Sequence, residues 1–142
     1  MRIALRPDTI SYGFANMGKK IRIKAALIEA IAELNDTNTA REIWEALPIH
    51  GRANLWGEEV YFSIPLSLDL EAGQELVNVG DLGYWPRGKA FCIFFGTTPL
   101  SQGEEIRPAS AVTIFGRVSG DANLFKQVNS GTEITIEREN NG

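Results

Sequence analysis

Val79-Gly80-Asp81-Leu82-Gly83-Tyr84-Trp85-Pro86-Arg87-Gly88-Lys89-Ala90-Phe91-Cys92-Ile93-Phe94-Phe95-Gly96 is the stretch that decides the fold. Two apolar runs flank Trp85-Pro86-Arg87-Gly88, which reads as a β-turn. Proline at its second position has φ already set at about −65°, and glycine takes the fourth. The flanking runs, Leu82 to Trp85 and Lys89 to Phe95, are therefore expected to form a hairpin. Upstream, Glu59-Val60-Tyr61-Phe62-Ser63-Ile64 is aromatic and β-branched and ends at Pro65, the mark of another strand. Val60, Phe62 and Ile64 share one face of it, Tyr61 and Ser63 the other. Lys19 to Ala25 alternates polar and apolar, and its Lys/Arg side reads as a solvated strand face. Val112 to Val118 and Thr132 to Arg138 complete the strands, with a short helical turn between them at Asp121 to Val128.

One helix is expected. Thr39 followed by Glu42 matches a capping box, and Ala40, Ile43, Trp44 and Leu47 form one apolar stripe that Pro48 stops. Leu27 to Leu34 supports two readings. Its Ala, Leu and Glu content favours helix, whereas the alternation of Ile28, Ala30, Ala32 and Leu34 favours a strand. Thr97 to Pro108 is a long loop of the kind that carries sites. Residues 1–18 show no period and are expected to be an extension, with the folded domain over 19–138 and a tail over 139–142.

Composition narrows the function classes. The chain has 142 residues, 44% hydrophobic and 23% charged, as expected for one soluble domain with a real core. Its net charge is −4 without a clustered basic face, which argues against nucleic acid. No apolar run approaches the ~20 residues of a membrane span, and the N-terminus lacks a signal-peptide pattern. The expected compartment is the cytoplasm. With one cysteine there is no intrachain disulfide, and Cys92 reads as a small buried hydrophobe. The single histidine, His50, has no second histidine to share a metal, and it follows a helix exit as a surface residue would. No metal and no cofactor are expected. Glu58 and Glu59 are adjacent, so on a strand they point apart and do not make an acid/base pair. Trp44 reads as core, while Trp56 and Trp85, each beside a turn, could line a groove.

Four pieces together resemble the cyclophilin fold, and within it a small bacterial and archaeal cyclophilin-like family. They are Trp56-Gly57-Glu58-Glu59-Val60-Tyr61-Phe62, Gly80-Asp81-Leu82-Gly83-Tyr84-Trp85-Pro86, Phe91 to Pro99, and Pro108-Ala109-Ser110-Ala111-Val112-Thr113-Ile114-Phe115-Gly116-Arg117-Val118. The resemblance covers about Lys20 to Glu137. It implies a mainly β protein: a closed antiparallel eight-stranded barrel with one main helix and a short second one. It also implies that Leu27 to Leu34 is a strand.

The resemblance to active prolyl isomerases fails at their site. The arginine they carry before a proline falls here on Phe62, the groove tryptophan near Arg107 and the histidine near Val112. Only the groove phenylalanine is kept, as Phe94 or Phe95, and alternation lets one of these point outward. Isomerisation must lower an amide barrier of about 18–20 kcal/mol, and an aimed donor such as guanidinium does so by stabilising the twisted amide. A phenyl ring donates nothing. The expected function is thus a binding module with an apolar groove around Trp56, Phe62, Trp85 and Phe94, edged by Arg52 and Arg107. Its ligand would be a peptide segment or a small anionic molecule held by a guanidinium clamp. The alternative is an atypical prolyl isomerase or another small-molecule enzyme on the same fold. The expected assembly is a monomer or small homo-oligomer.

Overall fold

A computed structural model describes residues 18–139. The extension expected over 1–18 lies outside them except for Gly18, and the tail except for Glu139. The elements in chain order are β1 (Lys20–Ala25), β2 (Ile28–Leu34), α1 (Asn38–Ala46), β3 (Ile49–Arg52), β4 (Asn54–Leu55), β5 (Glu59–Ser63), β6 (Asp81–Trp85), β7 (Ala90–Phe94), β8 (Thr113–Ser119) and β9 (Glu133–Arg138). Short 3₁₀ turns occupy Pro86–Gly88 and Ala122–Gln127.

The strands form one antiparallel sheet in the order β3-β9-β1-β2-β8-β6-β7-β5-β4. Its two ends are consecutive pieces of chain. Ile49–Arg52 pairs with β9, and Asn54–Leu55 pairs with β5, so the run bends at Ala53 and fastens both edges into a nearly closed barrel. Ala53 holds the bend by donating to Thr132 O at 2.8 Å and accepting from Gly131 N at 2.8 Å. This split is why nine strands stand where eight were expected. Gly51 has its place here because an added Cβ would lie 2.8 Å from Phe62 Cδ2.

Leu27 to Leu34 resolves as strand β2. Ala26, at φ +56°, and the fully exposed Leu27 make the turn from β1, and Ile28, Ala30, Ala32 and Leu34 then point inward. Burial of that alternating face between β1 and β8 outweighs the local helix preference.

The expected helix forms, but its cap is shifted. Thr37, not Thr39, is the N-cap, accepting from Ala40 N at 3.0 Å. Thr39 is buried and donates through Oγ1 to Glu71 Oε1 at 2.9 Å. The same carboxylate accepts from the amides of Asn38 and Thr39 at 3.0 Å each. Burial pushes the Glu71 carboxyl up, but these hydrogen bonds and the Arg41 charge overcome it and hold it below the usual range. A loop residue distant in sequence thus supplies the anion that a capping box would have supplied locally. Trp44 lies half-buried against the core between Arg138, 4.5 Å from its ring centre, and Lys19, 5.2 Å away.

The core has two parts, divided by the sheet. Inside the barrel, Phe62 and Phe91 stack at 5.1 Å and Phe115 meets Phe91 edge-on at 5.0 Å. Ala40 and Ile43 of α1, with Ala122 and Phe125 of the second 3₁₀ turn, join this interior cluster. On the outer face, Ala90, Cys92 and Phe94 pack with Val77, Ile106 and Val112 from the loops. Strand β7 is therefore buried on both sides, which explains why Phe91-Cys92-Ile93-Phe94 reads as a continuous apolar run.

Candidate functional site

The loop over residues 96–112 is what turns the outer face of β5, β6 and β7 into a site. It is tied to itself and to the barrel. Ser101 Oγ accepts from Thr98 N at 2.9 Å and from Arg107 N at 3.2 Å, while the Thr98 hydroxyl donates to the Arg107 carbonyl. Val77 N donates to Ile106 O at 3.0 Å, and Gln74 and Val112 exchange backbone hydrogen bonds. Trp85 Nε1 donates to Ser110 Oγ at 2.6 Å, pinning the tryptophan to the loop.

Between loop and sheet lies a cavity of about 160 Å³. Glu59 and Tyr61 reach it from β5, Cys92 from the facing position of β7, and Trp85 from the end of β6. Trp56 enters from the β4–β5 turn, and Pro108, Ala109 and Val112 roof it. Two turns set the tryptophans. Gly57, at φ +61°, lets Trp56 N donate to Glu59 O at 3.0 Å. At the other turn, the left-handed residue is Lys89, not Gly88. Gly88 lies so close to Trp85 that a Cβ would come within 2.7 Å of its ring.

Glu59 is the unusual residue. It is 5% exposed, and among the described residues its carboxylate has no cationic partner. Burial pushes its carboxyl up to about 7, with the Cys92 thiol beside it pulling the other way. Burial, the Glu59 charge and the hydrogen bond to Glu59 together push Cys92 well up, so its thiol stays protonated. Glu58 is separate. Its carboxylate accepts from Thr97 N at 3.2 Å and approaches Lys126 Nζ at 3.8 Å.

The six expected groove residues are not brought together. Trp56 and Trp85 line the cavity. Phe62 does not, because it shares the inward face with Val60 and Ile64 and lies 1% exposed inside the barrel. Alternation sends Phe95 inside and Phe94 to the outer face, where Phe94 is fully buried behind the pocket. Arg52 stands at the β3–β9 edge beside His50, donating to Gly131 O at 3.0 Å and pairing with Glu133. Arg107 is held by Glu105 at 2.9 Å in an adjoining depression that shares Pro108 and Ala109 with the cavity. The expected guanidinium clamp is not built: the charged side chain lining the aromatic pocket is an acid.

Glu59, Tyr61 and Cys92 are the site residues the sequence reading missed. The available signal was parity, since Glu59 and Tyr61 lie on the strand face opposite Val60 and Phe62. Among the described residues no three His, Cys, Asp or Glu side chains gather as a metal set, and no helix is long and apolar enough to cross a membrane.

The barrel is similar to solved structures. It is similar to the solution structure of the hypothetical protein AF2241 from Archaeoglobus fulgidus, with 38% identity, a TM-score of 0.76, and 87% of this chain and 97% of that one covered. It also superposes on McbB, solved in complex with tryptophan, with a TM-score of 0.64 at 13% identity over 86% of this chain and 45% of that one. The second likeness is one of fold. No curated protein matches the chain. The family model described as cyclophilin-like matches residues 19–137, and with the barrel, its helix and the archaeal relative in agreement, the chain belongs to the cyclophilin-like family.

Proposed function

We propose that the protein is a ligand-binding barrel, and that its ligand places one compact group in the pocket between Trp56, Tyr61 and Trp85. The observation that carries this reading is the aromatic cavity itself, preformed and anchored by the Trp85–Ser110 hydrogen bond. Its volume of about 160 Å³ matches a single benzene-sized group, since cavities near 150 Å³ hold benzene. The rest of a peptide or small molecule would lie along the open rim formed by Pro108 and Ala109. No guanidinium lines the pocket, so the twisted amide of a prolyl substrate would meet no aimed cationic donor.

The test is a nuclear magnetic resonance titration with small ring compounds, following the indole N–H signals of Trp56 and Trp85. Saturable shifts of both support the reading, and no shift from any compound removes it. A proline-isomerisation assay on a tetrapeptide is expected to show no turnover, and clear turnover would overturn the non-catalytic part.

One observation favours an enzyme as the second reading. A carboxyl near 7 inside an apolar pocket has the proton affinity of a general acid or base working at neutral pH. In that case Glu59→Gln would abolish turnover of a substrate while leaving its binding in place.

A further inference from the structure

The buried acid gives the pocket a sign. Apart from Glu59, the groups around the cavity are the Trp56, Tyr61 and Trp85 rings, the Cys92 thiol, and the apolar Pro108, Ala109 and Val112. The titratable groups facing Glu59 are thus Tyr61 on its own strand and Cys92 on β7, and neither brings positive charge. The nearby charges are engaged elsewhere. Glu58 faces Thr97 and Lys126, and Arg107 is held by Glu105. An ionised carboxylate removed from water without a partner is costly, and a cation entering the pocket would relieve that cost. Aromatic faces attract the same cation through their quadrupoles, most strongly where water is excluded. An anion would meet the opposite: repulsion from Glu59 and no positive charge to offset it.

Resting on the pocket being a ligand site, we propose that it receives an alkylammonium head, a compact organic cation seated among Trp56, Tyr61 and Trp85 with its charge against the Glu59 carboxylate. The cavity is large enough for a tetramethylammonium-sized group and too small for a whole drug-sized molecule, so a single head group is recognised. Binding draws on the ionised form of Glu59, whose carboxyl burial holds up to about 7. A permanently charged ligand therefore binds about tenfold more tightly at pH 8 than at pH 6, with release of a proton at the lower pH.

Three probes of similar shape test this: tetramethylammonium, neutral tert-butanol and anionic pivalate, each titrated while the Trp56 and Trp85 indole signals are followed. Tetramethylammonium is expected to move both signals, about ten times more tightly than tert-butanol at pH 8 and with the pH dependence above, and pivalate to move neither. Glu59→Gln should weaken the cation about tenfold at pH 8 and erase its pH dependence. If that variant does not fold, the pH dependence of the wild-type protein decides alone. Should tert-butanol or pivalate bind as well as the cation at pH 8, the cation inference falls while the pocket remains a ligand site. Should no probe move either indole, the pocket reading and this inference fall together. Choline and a trimethyllysine peptide, added separately, then distinguish a free small cation from a modified side chain as the carrier.

Discussion

Replacing Glu59 by Gln removes a buried carboxyl whose protonated form burial favours, and its effect on stability can be worked out. Burial raises this group from its ordinary 4.5 to about 7. A group raised in the folded state contributes stability that is full below the unfolded value and is lost as pH rises through the folded one. Between pH 5 and pH 8 the wild-type protein should therefore lose roughly 2–3 kcal/mol through Glu59, at 1.36 kcal/mol per pH unit of proton uptake difference. Glutamine keeps the shape and carries no charge, so the variant lacks this slope. The measurement is urea unfolding of both proteins at half-unit pH steps. The difference between their curves isolates Glu59 from every other titrating group. In a domain of this size the gap at pH 8 corresponds to about 6–10 °C in Tm relative to pH 5. Parallel curves across that range would show that water or a charge compensates Glu59, and the argument for a buried carboxyl without a cationic partner would end there.

Three other substitutions probe the frame. Glu71→Ala deletes the acceptor for Asn38, Thr39 and the Thr39 hydroxyl, and should cost about 1–2 kcal/mol at neutral pH, read by chemical denaturation. Because its carboxyl is held low, that difference should shrink as pH falls below 4.5 and the wild-type side chain protonates. Gly88→Val drives a side chain into the Trp85 ring and should cost about 1–3 kcal/mol, with a shifted Trp85 signal and weakened probe binding. Phe62→Ala should cost about 3–5 kcal/mol by thermal unfolding, as an interior ring stacked on Phe91 requires; a loss under 1 kcal/mol would return Phe62 to the surface.

Much of the barrel was legible because local pattern and burial agree along it. The alternation of Glu59 to Ile64 and the uninterrupted apolar run of β7 both state which faces are covered. Legibility fails where a distant partner decides. Thr37 and Thr39 are equally good caps by type, and the choice between them is made by Glu71, brought in from beyond β5. For β2, composition and alternation conflict, and the neighbouring strands settle the matter. The site was harder still. Aligning a motif on Pro65 set Phe62 in the groove, although the parity of its own strand turns it inward and turns Tyr61 outward. Adjacent Glu58 and Glu59 point apart on an extended chain, so their spacing carries no signal of a site. The chemistry of Glu59 comes from the covering loop, and no local spacing encodes that this loop folds back over β5 and β7.

The bend at Ala53 ties recognition to integrity. One short ribbon, Ile49 to Leu55, clasps both margins of the sheet, and the very next residue is Trp56, a wall of the cavity. Anything that unfastens this clasp displaces the indole, and anything that seats against the indole tightens the clasp. An occupant of the pocket would accordingly be felt at the seam itself, as slower hydrogen exchange of the Ala53 and Gly131 amides that fasten it.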